Sequence, residues 1–295
     1  MASREGFANS LRIFLGKVAA HLIVRHYHLV FVVNRLGQPY GIGPRRKFAL
    51  LRKIQRNVRN TSGGTTVEQL LLLAEELFKI PPSLKGDVVE CGCWRGTSSA
   101  ALSLVCALVG RKLHVCDSFE GLPEPRNDEE RFDIHAGSGE RYYVWEKGEY
   151  SGSLELVRNT ISTYGDISVC AFVKGYFRDS LKTFDPGPIV FVFEDADLAS
   201  SVEDCLTYLW PIMPHGARFY SHEPWSEHVV ALFYDRTWWR EKFDTHIPGF
   251  YGSGRGIMAG LQYSQIGYTE KYDAAKLKEL GTKIIQAPRP AERTV

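Results

Sequence analysis

Short apolar runs alternate with longer amphipathic segments through the middle of the chain. Five runs are rich in β-branched or aromatic residues and are bounded by glycine, proline or polar residues, which predicts β-strands. They lie around Val88 and Val89 and at residues 113–116, 167–173, 189–193 and 217–220. The run at 189–193 is continuously apolar, as a central parallel strand should be. Apolar residues recur at helical spacing over residues 97–108, 153–164 and 198–210, so strands and helices are predicted to alternate.

A glycine-rich turn joins the first predicted strand to the first of these helices. Gly92 and Gly96 allow the backbone to approach a ligand closely, where a Cβ would clash. Thr97 and Ser98 suit the first turn of the helix, whose free N–H groups face the loop. The spacing is Glu90-x-Gly92-x-x-x-Gly96 rather than G-x-G-x-x-G, so the turn does not match the dinucleotide-binding fingerprint.

Acidic residues mark the first two predicted strands. Asp117 directly follows the run at 113–116, where it is placed to accept hydrogen bonds from both ribose hydroxyls of an adenosyl ligand. Glu90 lies within the first strand. S-adenosylmethionine carries an amino group and a sulfonium and has no phosphate. An acidic loop therefore suits S-adenosylmethionine better than it suits NAD.

Two sequence blocks, residues 86–96 (GDVVECGCWRG) and residues 117–123 (DSFEGLP), resemble the macrocin O-methyltransferase (TylF-like) family. Two further blocks, at residues 165–181 and 193–198, match the same family. The resemblance covers roughly residues 65 to 265. Members of this family are class I S-adenosylmethionine-dependent methyltransferases that methylate sugar hydroxyls.

The resemblance implies a fold and a domain organisation. The expected fold is α/β: a Rossmann-like open seven-stranded class I methyltransferase sheet, with the last strand antiparallel and helices on both faces. The methyltransferase domain is expected at residues 65–287, with an N-terminal helical extension at residues 1–64 and a disordered tail at residues 288–295. The family resemblance, together with the motifs, also implies a set of cofactor-binding residues: Glu90, Gly92, Trp94, Gly96, Thr97, Ser98, Asp117, Ser118, Phe119 and Gly175.

Residues 11–33 are apolar, but Lys17, His21, Arg25 and His28 recur every three or four positions. This pattern is typical of an amphipathic helix. The central charges make the segment a poor membrane span, and it has no small-residue cleavage site of a signal peptide. Two interpretations stay open. The helix packs on the main domain or on a second subunit, as amphipathic helices normally do, or it contacts a membrane surface.

A basic stretch precedes the first predicted strand. Seven Arg and Lys residues between positions 45 and 59 are interspersed with apolar residues, which is typical of a solvated helix face. Contact with an anionic lipid or a phosphosugar is the alternative. Thr65 and Glu68 fit a capping box for a helix over residues 70–78. In the resembled family, the segment leading into this helix helps to cover the cofactor.

Two segments of the chain do not fit the alternation of strands and helices. Residues 123–150 are polar and too long for an ordinary connection, which predicts a lid or a mobile loop. Aromatic residues of this loop, Tyr142, Tyr143 and Trp145, either stack on a sugar or anchor the loop. Residues 249–268 indicate two short strands around glycine-rich turns, as in a final antiparallel pair.

Candidate catalytic residues follow the strands at 189–193 and 217–220, because ligands of open α/β sheets bind at the carboxyl edge. They are Asp195, His222 and Glu223. In the resembled family, an Asp after strand four and two acids after strand five bind magnesium. Asp195 matches the first position, but the paired acids fall at Ser221 and His222, and magnesium prefers oxygen ligands.

We therefore expect His222, oriented by Asp195 or Glu223, to act as the general base, with the metal dispensable. The alternative is that His222 only forms hydrogen bonds within the strand end.

Composition adds broad limits. The 295 residues are 44% hydrophobic, which is ample for one large core. The net charge of +2 gives no global argument for binding nucleic acid. The six cysteines mostly lie in apolar patterns without zinc-site spacing, which is typical of reduced thiols in a cytoplasmic protein.

The sequence thus predicts an S-adenosylmethionine-dependent O-methyltransferase with a small-molecule hydroxyl acceptor, a sugar or a glycosylated metabolite, in a chain that can form a homo-oligomer. The alternative is a non-catalytic methyltransferase-like protein that binds a ligand or a partner, which the altered pair Ser221 and His222 keeps open. A Rossmann dehydrogenase ranks third, because the G-x-G-x-x-G fingerprint is missing.

Overall fold

The computed structural model describes residue 18 and residues 22–134, 142–257 and 265–273. Eight strands lie within these ranges: β1 (Asp87–Cys91), β2 (Leu113–Asp117), β3 (Phe132–Ile134), β4 (Tyr142–Val144), β5 (Cys170–Lys174), β6 (Ile189–Glu194), β7 (Arg218–Ser221) and β8 (Gly267–Glu270). Six of them form one sheet in the order β5-β2-β1-β6-β7-β8. The strands of this sheet are parallel except β8, which pairs antiparallel with β7. The predicted α/β sheet with an antiparallel last strand is confirmed.

The described helices are α1 (residues 22–33, whose start lies outside the described ranges), α2 (Pro44–Asn60), α3 (Val67–Lys79), α4 (Thr97–Val109), α5 (Asp128–Arg131), α6 (Leu154–Tyr164), α7 (Phe177–Ser180), α8 (Ala199–Leu209), α9 (Glu227–Leu232) and α10 (Arg236–Phe243). Helix α4 ends at Gly110, whose φ of 69° is the left-handed conformation that favours glycine at this position.

Alternate residues of the strands point into two hydrophobic clusters, one on each face of the sheet. Val88 and Phe191 pack with residues of α2, α3, α4 and α6. Val89 and Val192, their neighbours along the strands, pack with residues of α8, α9 and α10. Because side chains alternate along a strand, helices must cover both faces to bury these runs. Helices on both faces of the sheet are therefore confirmed.

The strand register brings the carboxyl ends of β2, β1, β6 and β7 together. Cys91 pairs with Cys116 on one side and with Glu194 on the other, and Glu194 pairs with Ser221. The residues that follow these strand ends therefore lie at one edge of the sheet, where parallel α/β sheets bind ligands.

Some local predictions differ from the structure. The capping box of α3 uses Thr66 and Gln69 in place of Thr65 and Glu68: the Thr66 hydroxyl accepts from Gln69 N–H at 3.3 Å, and Gln69 Oε1 accepts from Thr66 N–H at 2.7 Å. The predicted third strand begins late, because the Asp166 carboxylate accepts from Ser168 N–H at 3.1 Å and holds residues 167–169 in a 3₁₀ turn.

Other predictions about the fold stay open. The main sheet has six strands within the described residues, so the predicted number of seven is not confirmed, and part of the predicted final pair, residues 258–264, lies outside them. Residues 135–141 of the long polar loop and the predicted tail at 288–295 also lie outside them. The described parts of that loop contain α5 and the antiparallel ribbon β3–β4.

The N-terminal helices share the core of the domain. Tyr27 and Phe31 of α1 are buried in the same cluster as Leu50 and Ile54 of α2 and Leu71 of α3. The domain boundary at residue 64 stays a prediction. Among the helices that the structure describes, none is both long enough and apolar enough to cross a membrane.

Candidate cofactor and acceptor site

A cavity of about 290 Å³ opens at the carboxyl edge of the sheet, close to the range usual for small-molecule sites. Eight of the predicted site residues line it: Gly92, Trp94, Thr97, Ser98, Asp117, Ser118, Asp195 and His222. The other five are not among its lining residues: Glu90, Gly96, Phe119, Gly175 and Glu223. One cavity therefore joins the glycine-rich loop to the candidate catalytic residues.

Asp117 holds the glycine-rich loop in place. Its Oδ2 accepts hydrogen bonds from the N–H groups of Cys93 at 2.7 Å and Trp94 at 3.3 Å, and its Oδ1 accepts one from Phe119 N–H at 2.6 Å. Burial raises the pKa of Asp117, although these N–H groups favour the charged form. The Cys93 side chain also contacts this carboxylate, which lines the cavity.

Gly92 also packs against protein backbone. Its φ is 85°, and a Cβ added there would lie 2.0 Å from the carbonyl oxygen of Asp195. Its role in binding the cofactor stays a prediction. Gly92 allows the loop after β1 to pack directly against the loop after β6, which carries the candidate catalytic acid.

Glu90 is fully buried beneath the loop. Ser99 donates a hydrogen bond to Glu90 Oε2, while Oε1 has no hydrogen-bond partner among the described residues. Burial is the main cause that raises the pKa of Glu90 to about 8. Glu90 is therefore mostly protonated at neutral pH and supports the loop from behind.

Asp195 and His222 form a hydrogen-bonded pair on the opposite wall. His222 Nδ1 lies 3.1 Å from Asp195 Oδ1 and 3.5 Å from Glu223 Oε1. Burial lowers the pKa of His222, but the charge and hydrogen bond of Asp195 outweigh it, and the net pKa is raised. Burial raises the pKa of Asp195, but His222 outweighs it, and the net pKa is lowered. Burial and the neighbouring acids raise the pKa of Glu223 well above its usual range, so Glu223 is the protonated partner and Asp195 the ionised one.

Gln69 contacts the other ring nitrogen of His222, a contact that no pattern in the sequence indicates. Gln69 Nε2 lies 3.1 Å from His222 Nε2. The capping box fixes the orientation of the amide, because Gln69 Oε1 accepts from Thr66 N–H. The amide therefore donates to His222 Nε2. His222 is then neutral, with its ring proton on Nδ1 facing Asp195.

The segment before α3 covers the cofactor side of the cavity. Gly63, Gly64 and Thr65 line the cavity. Asn57 donates to the carbonyl of Thr97 at 2.8 Å, which ties α2 to the first turn of α4. The family resemblance implies a covering role for this segment, and its place in the cavity wall supports that expectation.

Aromatic side chains line the remaining part of the cavity. Trp145, Tyr150 and Trp225 all contribute to its wall. The rings of Trp94 and Tyr150 meet edge to face at 5.3 Å between centroids. Trp145 was one of the aromatics that the sequence pattern singled out, whereas Trp225 was missed, although it follows His222 closely at the end of β7. Aromatic faces suit a sugar ring or another flat apolar group.

The site does not fit magnesium. Oxygen and nitrogen atoms of Asp195, His222 and Glu223 lie within 4.8 Å of one another. Magnesium requires near-octahedral oxygen ligands, and an imidazole nitrogen in the set favours other metals. The imidazole also already pairs with Asp195, the carboxylate that an ion would need.

The fold and the site together define an α/β protein of the methyltransferase type. The calicheamicin methyltransferase CalS11 has a similar solved structure, with a TM-score of 0.51 and 13% identity over 77% of this chain and 93% of that chain. This similarity concerns the fold alone. The macrocin-O-methyltransferase (TylF) family model matches residues 63–219, which is more than half of the chain. The protein belongs to the macrocin-O-methyltransferase (TylF) family.

Curated relatives are similar over part of the chain. An 8-demethyl-8-(2,3-dimethoxy-alpha-L-rhamnosyl)-tetracenomycin-C 4'-O-methyltransferase of Streptomyces olivaceus is 35% identical over 135 residues, 44% of this chain and 50% of the relative. A mycinamicin III 3''-O-methyltransferase of Micromonospora griseorubida is 27% identical over 135 residues, 44% of this chain and 52% of the relative. The chain spans about half the length of the curated relatives it matches.

Proposed function

We propose that the protein is an S-adenosylmethionine-dependent O-methyltransferase that methylates a hydroxyl of a sugar or a glycosylated metabolite. The observation that carries the proposal is the single cavity that Asp117 lines at one end and the Asp195–His222 pair at the other. Family membership supports the reaction, and the names of the curated relatives support a glycosylated acceptor.

The cavity residues fit S-adenosylmethionine. Asp117, Asp195 and Asp197 lie at the cavity wall, and carboxylates suit a ligand with an ammonium and a sulfonium. Asp117 faces the cavity, where its carboxylate would accept a hydrogen bond from a ribose hydroxyl. When bound, S-adenosylmethionine supplies an electrophilic methyl group. The loop after β1, fixed by Asp117, would position that group by holding the ligand in one orientation.

His222 would act as the general base. Its Nδ1–H donates to Asp195, which fixes the tautomer and leaves the lone pair on Nε2. The acceptor hydroxyl would displace the Gln69 amide from Nε2 and donate its own proton there. Asp195 would then stabilise the imidazolium, as carboxylates do in other base-assisted reactions.

A substitution of His222 tests the base. His222→Gln keeps a polar side chain of similar reach but removes the basic nitrogen. We expect kcat to fall about 100-fold or more, with the thermal shift by S-adenosylmethionine unchanged. His228→Gln on α9, away from the cavity lining, is the matched control. Unchanged turnover in His222→Gln would reject His222 as the base.

The cofactor is tested by thermal shift with S-adenosylmethionine and S-adenosylhomocysteine, with magnesium and with EDTA. Ligand at about 100 times its Kd adds roughly 2.7 kcal/mol of stability. We expect a shift that survives EDTA and that Asp117→Asn reduces. Methyl transfer to glycosides is then measured in EDTA, and a strict requirement for magnesium would contradict the metal-independent mechanism.

The contact between Gln69 and His222 is also compatible with the alternative function, a non-catalytic methyltransferase-like protein that binds a ligand or a partner. The Gln69 amide occupies Nε2 of His222, the nitrogen that would have to accept the proton. A protein that binds a ligand without catalysing a reaction would not need this nitrogen to be free. Binding of S-adenosylmethionine without transfer to any glycoside in a broad panel would favour that alternative.

A further inference from the structure

The outer face of α1 is apolar and exposed. Leu22, Leu29 and Val33 are 61%, 59% and 59% exposed, and Ile23 and Val30 beside them are also exposed. The spacing of residues 22, 29 and 33 places these three side chains in one row along the helix. We call Leu22, Leu29 and Val33 the outer row of α1.

The opposite face of α1 is already used. Tyr27 and Phe31 are buried in the domain core, and the Tyr27 hydroxyl donates to Glu75 at 3.2 Å. The helix is therefore fixed against the domain by its inner face. Its outer row is not needed for packing within the described chain, and exposed aliphatic rows on a soluble surface usually mark an interaction site.

Helix α2 adds a cationic face next to α1. Lys47 of α2 donates to the carbonyl of Asn34 at 2.9 Å, which joins α2 to the end of α1. The other eight cations of residues 22–67 are exposed: Arg25, Arg35, Arg45, Arg46, Arg52, Lys53, Arg56 and Arg59. On α2, Arg45, Phe48 and Arg52 share one face, and Phe48 is 56% exposed between the two arginines.

The same segment has no acid to balance these charges. Residues 22–67 contain no Asp or Glu, although the whole chain has 36 Lys and Arg against 34 Asp and Glu. The rest of the chain is therefore net acidic. A charge asymmetry of this kind, next to exposed aliphatic side chains, is typical of a surface that meets anionic lipid headgroups.

We infer that α1 and α2 form a docking surface for an anionic membrane. The outer row of α1 inserts between headgroups, and the arginines of α2 pair with lipid phosphates. A second copy of the chain fits this face poorly, because the cationic faces of two α2 helices repel each other. Duplex nucleic acid would use the cations but would leave the aliphatic row in water. The inference is independent of the proposed methyltransferase activity.

The test is co-sedimentation of the full chain with vesicles. Vesicles of phosphatidylcholine mixed with phosphatidylglycerol are compared with vesicles of phosphatidylcholine alone, at low and at high salt. We expect binding to the anionic vesicles only, and weaker binding at high salt because the charges are screened.

Two variants separate the aliphatic and the charged contributions. The triple variant Leu22→Ser, Leu29→Ser and Val33→Ser, and the double variant Arg45→Glu and Arg52→Glu, should each weaken vesicle binding about tenfold or more. Leu156→Ser on α6, exposed at 42%, and the exposed Lys182→Glu are the matched controls and should bind like the wild type. All substituted positions are exposed, so thermal unfolding should stay unchanged.

Several outcomes would overturn the inference. These are equal binding to neutral and anionic vesicles, no binding to either, or binding that the triple variant retains. Dimerisation in light scattering that the triple variant abolishes would assign the face to a second copy. Duplex DNA binding that the triple variant leaves intact, in the absence of vesicle binding, would assign it to nucleic acid.

Discussion

Gln69 and Asp195 contact the two ring nitrogens of His222 and influence its protonation. The Gln69 amide donates to His222 Nε2 while its oxygen completes the capping box of α3. Protonation of Nε2 would bring two donors together, so it requires the Gln69 amide to move. Asp195 raises the pKa of His222 from the other side of the ring. The two neighbours therefore act in opposite directions on the same imidazole.

The variant Gln69→Glu tests this opposition. Glutamate keeps the capping box, since Glu and Gln both serve at that position, but it replaces the donor on Nε2 with a carboxylate. The pKa of His222 should rise, and the acidic limb of the pH–rate profile should move to higher pH because the base is protonated over a wider range. The profile of kcat against pH is the measurement, with unfolding curves as the control for capping. An unmoved acidic limb would contradict the role of Gln69.

Three non-glycine residues beside the site have left-handed backbone: Trp94 with φ of 45°, Phe119 with φ of 57° and Asp197 with φ of 61°. Such conformations cost energy and persist only where the surrounding structure enforces them. Trp94 and Phe119 belong to the loops that the Asp117 carboxylate holds through their N–H groups. One buried acid thus fixes both loops.

At the scale of elements, the loop after β1 packs against the segment that leads into α6. A Cβ at Gly152 would lie 1.9 Å from the carbonyl oxygen of Trp94, which is backbone and cannot move aside like a flexible side chain. Position 152 therefore requires glycine because there is no space for a Cβ, and not because its backbone has a left-handed φ.

Gly152→Ala should destabilise the protein by about 2 kcal/mol or more through this overlap. It should also weaken binding of S-adenosylmethionine, because the displaced loop carries Trp94. Urea unfolding and a ligand titration measure the two effects. Gly64→Ala is the control for the stability measurement, since a Cβ there meets nothing within 4 Å. Equal stability of the two variants would show that the junction is not tightly packed.

The buried carboxyls govern the pH dependence of the whole molecule. Burial raises the pKa of Glu90 to about 8 and that of Glu194 to about 7, against 4.5 for an ordinary glutamate. Between about pH 4.5 and pH 8 the unfolded chain has released the Glu90 proton while the folded protein still holds it. The folded state binds more protons in this window, so stability falls as pH rises through it.

Glu90→Gln should remove the part of this decline that Glu90 causes. Glutamine stays neutral at every pH. The free energy of unfolding of the variant, relative to that of the wild type, should therefore rise between pH 5.5 and pH 8, up to the Glu90 pKa of about 8. Urea unfolding at several pH values gives the measurement. Glu155→Gln on the exposed side of α6 is the control, and its free energy of unfolding should change with pH as that of the wild type does. A constant difference between Glu90→Gln and wild type would contradict the prediction.

Most elements, and the residues at the ends of the strands, were predictable from local signals in the sequence. Apolar periodicity and turn residues are local signals, so β1, β2, β6, α4 and the Gly110 cap were predictable. Asp117, Asp195 and His222 were predictable because Asp117 ends a strand and the other two directly follow one, and parallel strands end at one edge. The 3₁₀ turn at residues 167–169 was missed, because a side-chain hydrogen bond of Asp166 overrides the apolar run there.

The contacts between the groups at the strand ends depend on the tertiary structure. Gln69 meets His222 across 153 positions of sequence, and Gly92 packs against the carbonyl of Asp195 at the cavity wall. Such contacts depend on the order and register of β1, β6 and β7 and on how α3 packs across them. Periodicity fixes which face of an element is apolar, but it carries no information about the neighbour that the polar end of that element will meet.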